Sequence, residues 1–268
     1  MLSDGLWLPV SMALYFGAAV AAVVCIVRGN ATMRPALWLL GLALVVHTIA
    51  IAERWIRVGH GPYVDLFEIL SSNIWSLHLA ALIGVILVPS VRQSLATALP
   101  VLQVLVWWIV VVPLSGAPAP VTYATVWLPV HAVLGKIFLG CMVLAVGVAV
   151  AVLLRRAGIA RFAAMPADSG LGEIIYRLVL VAVIFESLML VVGALWARDA
   201  WGRFWAWDPL ETWAFATWLA AVGYLHLRAL RPPPPTLDAV LVLAVFVIAF
   251  ATFFGVPFIS TAPHKGAV

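Results

Sequence analysis

The sequence predicts an all-α, polytopic integral membrane protein of about eight transmembrane helices with both termini outside, and three observations carry that prediction. Of the 268 residues, 65% are hydrophobic and 10% charged, with a mean hydropathy of +1.14. Apolar surface on that scale must face lipid. Eight apolar runs are long enough to cross a bilayer, near residues 7–27, 36–57, 68–88, 95–113, 128–154, 173–196, 209–229 and 237–258. The loops between them carry arginine unequally. Arg28, Arg34, Arg92, Arg155, Arg156, Arg161, Arg228 and Arg231 follow runs one, three, five and seven, against Arg57, Arg198, Arg203 and Lys265, with Arg54 just inside a helix end, on the other side. The positive-inside bias puts the first set in the cytoplasm.

The first run follows Met1 to Leu6 without a basic leader and reads as a retained helix, not a cleaved signal. Runs two and three enclose a loop at 58–67 containing His60, with Glu53, Arg54 and Glu68 as candidate ion pairs bracing it, each worth little if exposed. A Pro-rich loop at 113–127 leads to the fifth run, which opens on His131. The sixth carries Glu186 at mid-depth, where an ionisable group must be paired, protonated or lining a polar path. The seventh has a clear start signal: Asp208 as N-cap, Pro209 at the first helical position and Glu211 at the third. RPPPP at 231–235 is a stiff turn into the eighth. No internal repeat divides the chain, so residues 1–268 read as one domain. Cys25 and Cys141 lie in apolar runs, too far apart for a CxxC pair, and read as packing residues. Any thiol redox chemistry would belong to a partner. The net charge of +4 sits largely in short loops, as membrane orientation requires, which argues against nucleic-acid binding.

The segment WGRFWAWDPLETW at 201–213 places Trp201, Phe204, Trp205, Trp207 and Trp213 around one Asp and one Glu. Five broad π faces with few charges suit a flat amphipathic ligand such as a porphyrin. An interfacial Trp belt is the alternative reading of the same residues.

Six histidines divide by depth. His60, His131 and His264 fall at or beyond the outer helix ends, and His47, His78 and His226 within helices. His131 and His264 flank the Trp-rich loop in sequence and are candidates for an axial pair on haem iron; plain hydrogen bonding is the alternative for each. His226 lies about one turn from the cytoplasmic end of its helix, with no partner at its depth in this chain; it either meets a ligand on another subunit or snorkels beside Arg228. His47 and His78 share a depth and suit helix-to-helix hydrogen bonding.

The stretch WGRFWAWDPLETWAFATWLAAVGYLHLR resembles the tryptophan-rich WWD signature of the cytochrome c assembly superfamily, in its CcsA (ResC) branch. GHGPYVDLFEILSSNIW at 59–75 is similar to a second family stretch. The resemblance implies a membrane subunit of a system II cytochrome c synthase, an enzyme only together with a CcsB (ResB)-like subunit. Haem b would be the transported ligand, carried to the external side and joined there to the two thiols of an apocytochrome c CxxCH motif. Trp201, Trp205, Trp207 and Asp208 would form the external haem-binding signature, in a loop at about 197–212. His131 and His264 would be external axial ligands, and His226 a membrane-embedded ligand paired with a histidine of the CcsB-like partner. The tail ISTAPHKGAV departs from the family's glycine-leucine-His-serine context around His264. A thioredoxin-like thiol reductant would be a further partner, in a bacterial inner membrane or a thylakoid-type membrane. Alternatives are a haem carrier without ligation activity, a docking subunit whose Trp loop only anchors it, and a b-type electron carrier using His47 and His78.

Overall fold

The computed structural model describes residues 6–114, 119–159, 162 and 164–259. Among them every regular element is helical: α1 (Trp7–Val27), α2 (Arg34–Val58), α3 (Leu66–Leu87), α4 (Leu95–Val111), α5 (Trp127–Arg156), α6 (Asp168–Trp201), α7 (Pro209–Leu230), α8 (Pro235–Phe254) and the short α9 (Val256–Ile259). Seven are long and apolar enough to cross a membrane, counting α4 with the 3-10 turn before it. α7 has the length, 22 residues, but Glu211, Thr212, Thr217, His226 and Arg228 make it more polar than the others. The chain is an integral membrane protein, and a helix stands at each of the eight expected runs, seven of them apolar enough to span.

The helices form two groups of four. α1 packs on α2 and α4, and α3 on α2 and α4; α5 packs on α6 and α8, and α7 on both of those. The groups join where α5 meets α3 and α4. In lipid, helix association relies on close packing because apolar surface gains little by leaving lipid. α5 supplies that closeness: a Cβ added at Gly140 would lie 2.5 Å from the Ala80 Cβ, and one at Gly147 would lie 2.8 Å from the Ala98 Cβ. The Thr97 hydroxyl donates to the Gly147 carbonyl across the same seam.

The turns alternate between the two ends of the bundle. At the arginine-rich end, Arg155 and Arg156 grip Asp168 across the α5–α6 turn, and the Ala164 N–H donates to Gln93 Oε1. At the other end, the Trp7 indole donates to Glu53 Oε1 at 3.1 Å, and the Trp196 indole to the Thr122 carbonyl at 3.1 Å. Arg54 pairs with both Asp65 and Glu68 at 3.0 Å, so the expected brace on the 58–67 loop is built from Arg54, Asp65 and Glu68, while Glu53 serves α1. All three brace residues are buried, which takes the cluster out of the exposed, weak class of ion pair.

Two internal polar groups lie away from this end. His47 bridges three helices, with Nδ1 3.2 Å from the Tyr15 hydroxyl and Nε2 2.9 Å from Ser71 Oγ, while His78 donates from Nδ1 to the Ile74 carbonyl at 2.7 Å. His47 thus makes the helix-to-helix bonds expected of the pair, whereas His78 bonds within its own helix, one turn back, and meets α1 through its ring contact with Tyr15 at 4.0 Å. Glu186 is fully buried and neither oxygen has a hydrogen-bond partner among the described residues.

At the arginine-rich end, Asp238 of α8 accepts from the Tyr224 hydroxyl at 2.9 Å and pairs with Arg228 of α7. Asp238 is buried and the Arg228 side chain is largely so. Removing one member of such a pair strands the other charge, at a cost of about 3–5 kcal/mol. Asp238→Ala should therefore melt several degrees below wild type in detergent, followed by circular dichroism; an unchanged midpoint would show that the latch carries no stability.

Candidate functional site

The Trp-rich loop is fixed at both ends by backbone chemistry. α6 stops at Gly202, which takes φ +75° and returns its N–H to the Arg198 carbonyl at 2.8 Å, a conformation open to glycine without steric cost. α7 starts in the expected capping box: Asp208 Oδ1 accepts from the Glu211 N–H at 2.9 Å, and Glu211 Oε2 accepts from the Asp208 N–H at 3.4 Å. The same Glu211 oxygen also accepts from the Ala206 N–H at 2.7 Å. Thr212 Oγ1 donates to the Trp207 carbonyl at 3.2 Å. Between these anchors Trp207 sits at φ +57° with 67% of its surface exposed, a left-handed conformation uncommon for a bulky residue.

Aromatic edges organise the loop. Trp205 meets Trp207 edge to face at 5.6 Å and Phe215 at 6.4 Å. Phe215 stacks on Trp218, whose indole donates to Ser187 Oγ at 2.8 Å. The Arg198 guanidinium lies 5.3 Å from the Phe204 ring centre.

His131, on the second turn of α5, leans on α6. Its Nδ1 is 3.0 Å from the Met189 carbonyl oxygen. A carbonyl only accepts, so Nδ1 carries the proton, the tautomer in which a neutral histidine ligates metal through Nε2. The approach requires glycine at 193: a Cβ there would stand 2.9 Å from both Cε1 and Nδ1 of His131.

Two adjoining cavities share His131, Leu210 and Phe253. The first, about 660 Å³ with its open mouth, is walled by Met189, Gly193, Phe204, Trp205 and Ala214, with Glu211 and Thr252 as its other polar side chains. The second, about 990 Å³, runs under Tyr63, Tyr123 and Trp196 to Lys136. Both have the size and apolar character of sites for organic ligands. The Trp205 indole Nε1 is buried with no acceptor among the described residues, although a buried indole N–H usually finds one.

Of the residues singled out from sequence, His131 and Trp205 line one cavity. Trp201 packs at 5.1 Å on Trp196, which lies 6.0 Å from the His131 ring. Trp207 caps Trp205 from outside, and Asp208 works as the helix cap. His226 is exposed on α7, about 22 Å along the helix from Glu211 at 1.5 Å per residue. His264 lies outside the described residues. Sequence reasoning missed Gly193, Met189, Phe253 and Lys136. The last had a signal, since a lone lysine inside an apolar run is costly.

Among the described residues no group of three or more His, Cys, Asp and Glu could hold a bare metal ion. One oriented imidazole on an aromatic, apolar cavity instead fits a metal that arrives inside a macrocycle and needs only axial donors.

The family model described as Cytochrome C assembly protein matches residues 36–264. The Cytochrome c biogenesis protein CcsA of Prochlorococcus marinus strain MIT 9515 is 29% identical over 247 residues, covering 79% of this chain and 77% of that protein. The CcsA of P. marinus subsp. pastoris is 40% identical over 90 residues, 34% of this chain and 29% of its own. The CcsA of Cuscuta exaltata is 38% identical over 90 residues, with the same coverages. Among solved structures, Cytochrome c Heme Lyase CcmF superposes with a TM-score of 0.71 at 19% identity, over 94% of this chain and 46% of that one. That last likeness is one of fold. The chain thus spans less than half of the CcmF chain, and its stronger local matches span under a third of the relatives that carry them.

Proposed function

Because the chain belongs to the Cytochrome C assembly protein family, we propose that it acts in cytochrome c maturation as the membrane subunit that holds haem at its Trp-rich end and presents it to apocytochrome c. The observation that carries this reading is His131, its Nδ1 committed to the Met189 carbonyl, on a cavity shared with Trp205. His131 supplies an axial nitrogen from Nε2, Trp205 offers an aromatic face and an indole donor, and Met189, Leu190, Phe253 and Ala214 exclude water.

Haem contributes two vinyl groups, and each CxxCH thiol S–H adds across one vinyl double bond, so atoms and electrons balance without a leaving group. No nucleophile or general base is required of this chain. Its task is presentation, turning a bimolecular search into an oriented encounter. The CxxCH histidine then takes the place of one axial donor. In this reading the exchangeable donor is His264, which lies outside the described residues.

His226 points away from the bundle, and no hydrogen-bond partner meets it among the described residues. This supports pairing with a ligand from a CcsB (ResB)-like subunit. The arginine distribution supports a reading in which the Trp-rich end and both termini face the external side.

The test is the absorption spectrum of detergent-purified protein, with and without the CcsB-like subunit, for wild type, His131→Ala and Trp205→Ala. A reduced bis-histidine haem spectrum, weakened by both substitutions, is the expected result. A folded complex carrying no haem in any preparation would overturn the reading and leave the Trp loop as a docking surface.

A further inference from the structure

Lys136 is the single lysine among the described residues. It stands five positions after His131 on α5, about 7.5 Å deeper at 1.5 Å per residue. Its Nζ donates to Ser72 Oγ at 2.9 Å and Asn73 Oδ1 at 3.2 Å, both on α3 and both neutral. Among the described residues no carboxylate lies within ion-pairing distance of it. An ammonium has three donors, and the third finds no acceptor among the described residues. A charged side chain at such depth is normally paired or lines a ligand path.

The position of the cation supplies the missing half of the argument. Lys136 lines the second cavity together with His131, Tyr63 and Trp196. It also borders an apolar groove between α3 and α5, walled by Trp75, Ala80, Ile83 and Gly140. The Lys136 amine therefore stands where the groove meets the cavity. Ser72 and Asn73 hold it without neutralising it, so an anion entering the cavity gains a charge-assisted hydrogen bond that neither residue satisfies.

We infer that Lys136, steadied by Ser72 and Asn73, is a carboxylate-binding site for the propionate groups of the haem that His131 ligates. This rests on the haem reading above. A porphyrin whose metal is held by His131 carries its carboxylates on the same macrocycle, so imidazole and ammonium recognise two parts of one molecule. The pairing also gives the ring a fixed orientation in its plane, which an axial ligand alone does not. An oriented ring presents the same vinyl edge to each incoming thiol.

The test titrates the full-length protein in phosphatidylcholine nanodiscs with haem and with haem dimethyl ester, whose propionates are uncharged. Wild type should bind haem at least about tenfold more tightly than the ester. K136M and K136Q should lose that preference by weakening haem and leaving the ester unchanged, whereas His131→Ala should weaken both. Equal affinity of wild type for haem and ester would overturn the inference while leaving haem binding intact, and needs no variant that must fold. Retention of the preference in K136M would overturn it as well. Lys136-dependent binding of phosphatidylglycerol without ester discrimination would assign the cation to lipid and equally overturn it. A wild type that binds neither compound would overturn both this inference and the reading beneath it.

Discussion

Gly193→Ala should strip the protein of haem as effectively as removing His131 itself. The added methyl would stand 2.9 Å from two atoms of the imidazole, closer than non-bonded atoms pack, and one of them, Nδ1, is also the atom hydrogen-bonded to the Met189 carbonyl one turn earlier on α6. The ring must retreat, and the proton on Nδ1 then loses its fixed acceptor. Overpacking of this kind costs about 1–3 kcal/mol of stability, which a helical bundle survives. The ligand geometry does not survive it, because a site needs its donor placed to within about 0.5 Å. Haem content per mole of purified protein, read from reduced absorbance, should fall at least about tenfold. The double variant with His131→Ala should fall no further, since both changes remove one interaction. Wild-type haem content in Gly193→Ala would show that the tether to α6 does not position the ligand.

Glu211→Ala should open the Trp-rich loop. A buried carboxylate oxygen there takes the Ala206 and Asp208 N–H groups while its own N–H is capped by Asp208. Both donors are partly buried, so each one left without an acceptor costs about 1 kcal/mol, the low end of the range for buried groups. With two lost, local opening becomes easier by at least about 2 kcal/mol, roughly thirtyfold in the open population. Arg203 is exposed on this loop, so trypsin cleavage after it reports that population directly when opening is fast relative to cleavage. The expected result is at least a thirtyfold faster cut with the bundle still folded, and loss of haem in parallel. Glu211→Gln, which keeps one acceptor oxygen, should fall between. A cleavage rate equal to wild type in Glu211→Ala would mean that aromatic packing alone holds the loop.

Helix positions were legible because they are local. An apolar run and a cap signal lie within one stretch of chain, and α1, α3 and α7 begin or end within a few residues of where those signals put them. The misses came from contacts that local patterns do not carry. α6 was expected at 173–196 and runs from Asp168 to Trp201. Its start is held by Arg155 and Arg156, and Trp196 near its end packs at a tilt on Trp201 and edge to face on Tyr123. The eighth run was expected to 258; α8 stops at Phe254, where Gly255 interrupts the helix before α9.

The candidate site divides in the same way. The capping box at Asp208 and Glu211 was readable because its partners are three residues apart. The seat of His131 was not, because its acceptor is 58 residues away and its clearance depends on a glycine in another helix. Likewise Lys136 meets Ser72 and Asn73 across more than 60 residues. Sequence named the imidazole and the indole; only the packing of α5 on α6 and α3 brings their neighbours into view.

Trp207 combines a left-handed backbone with a mostly exposed ring. For the loop on its own, glycine would relieve that strain, on the order of 1–3 kcal/mol. Thermal robustness and the presence of the outermost ring therefore pull residue 207 in opposite directions. A library ranked by melting temperature would enrich Trp207→Gly and hand back a sturdier protein with a blunted surface, so any stabilisation campaign on this scaffold should hold position 207 fixed.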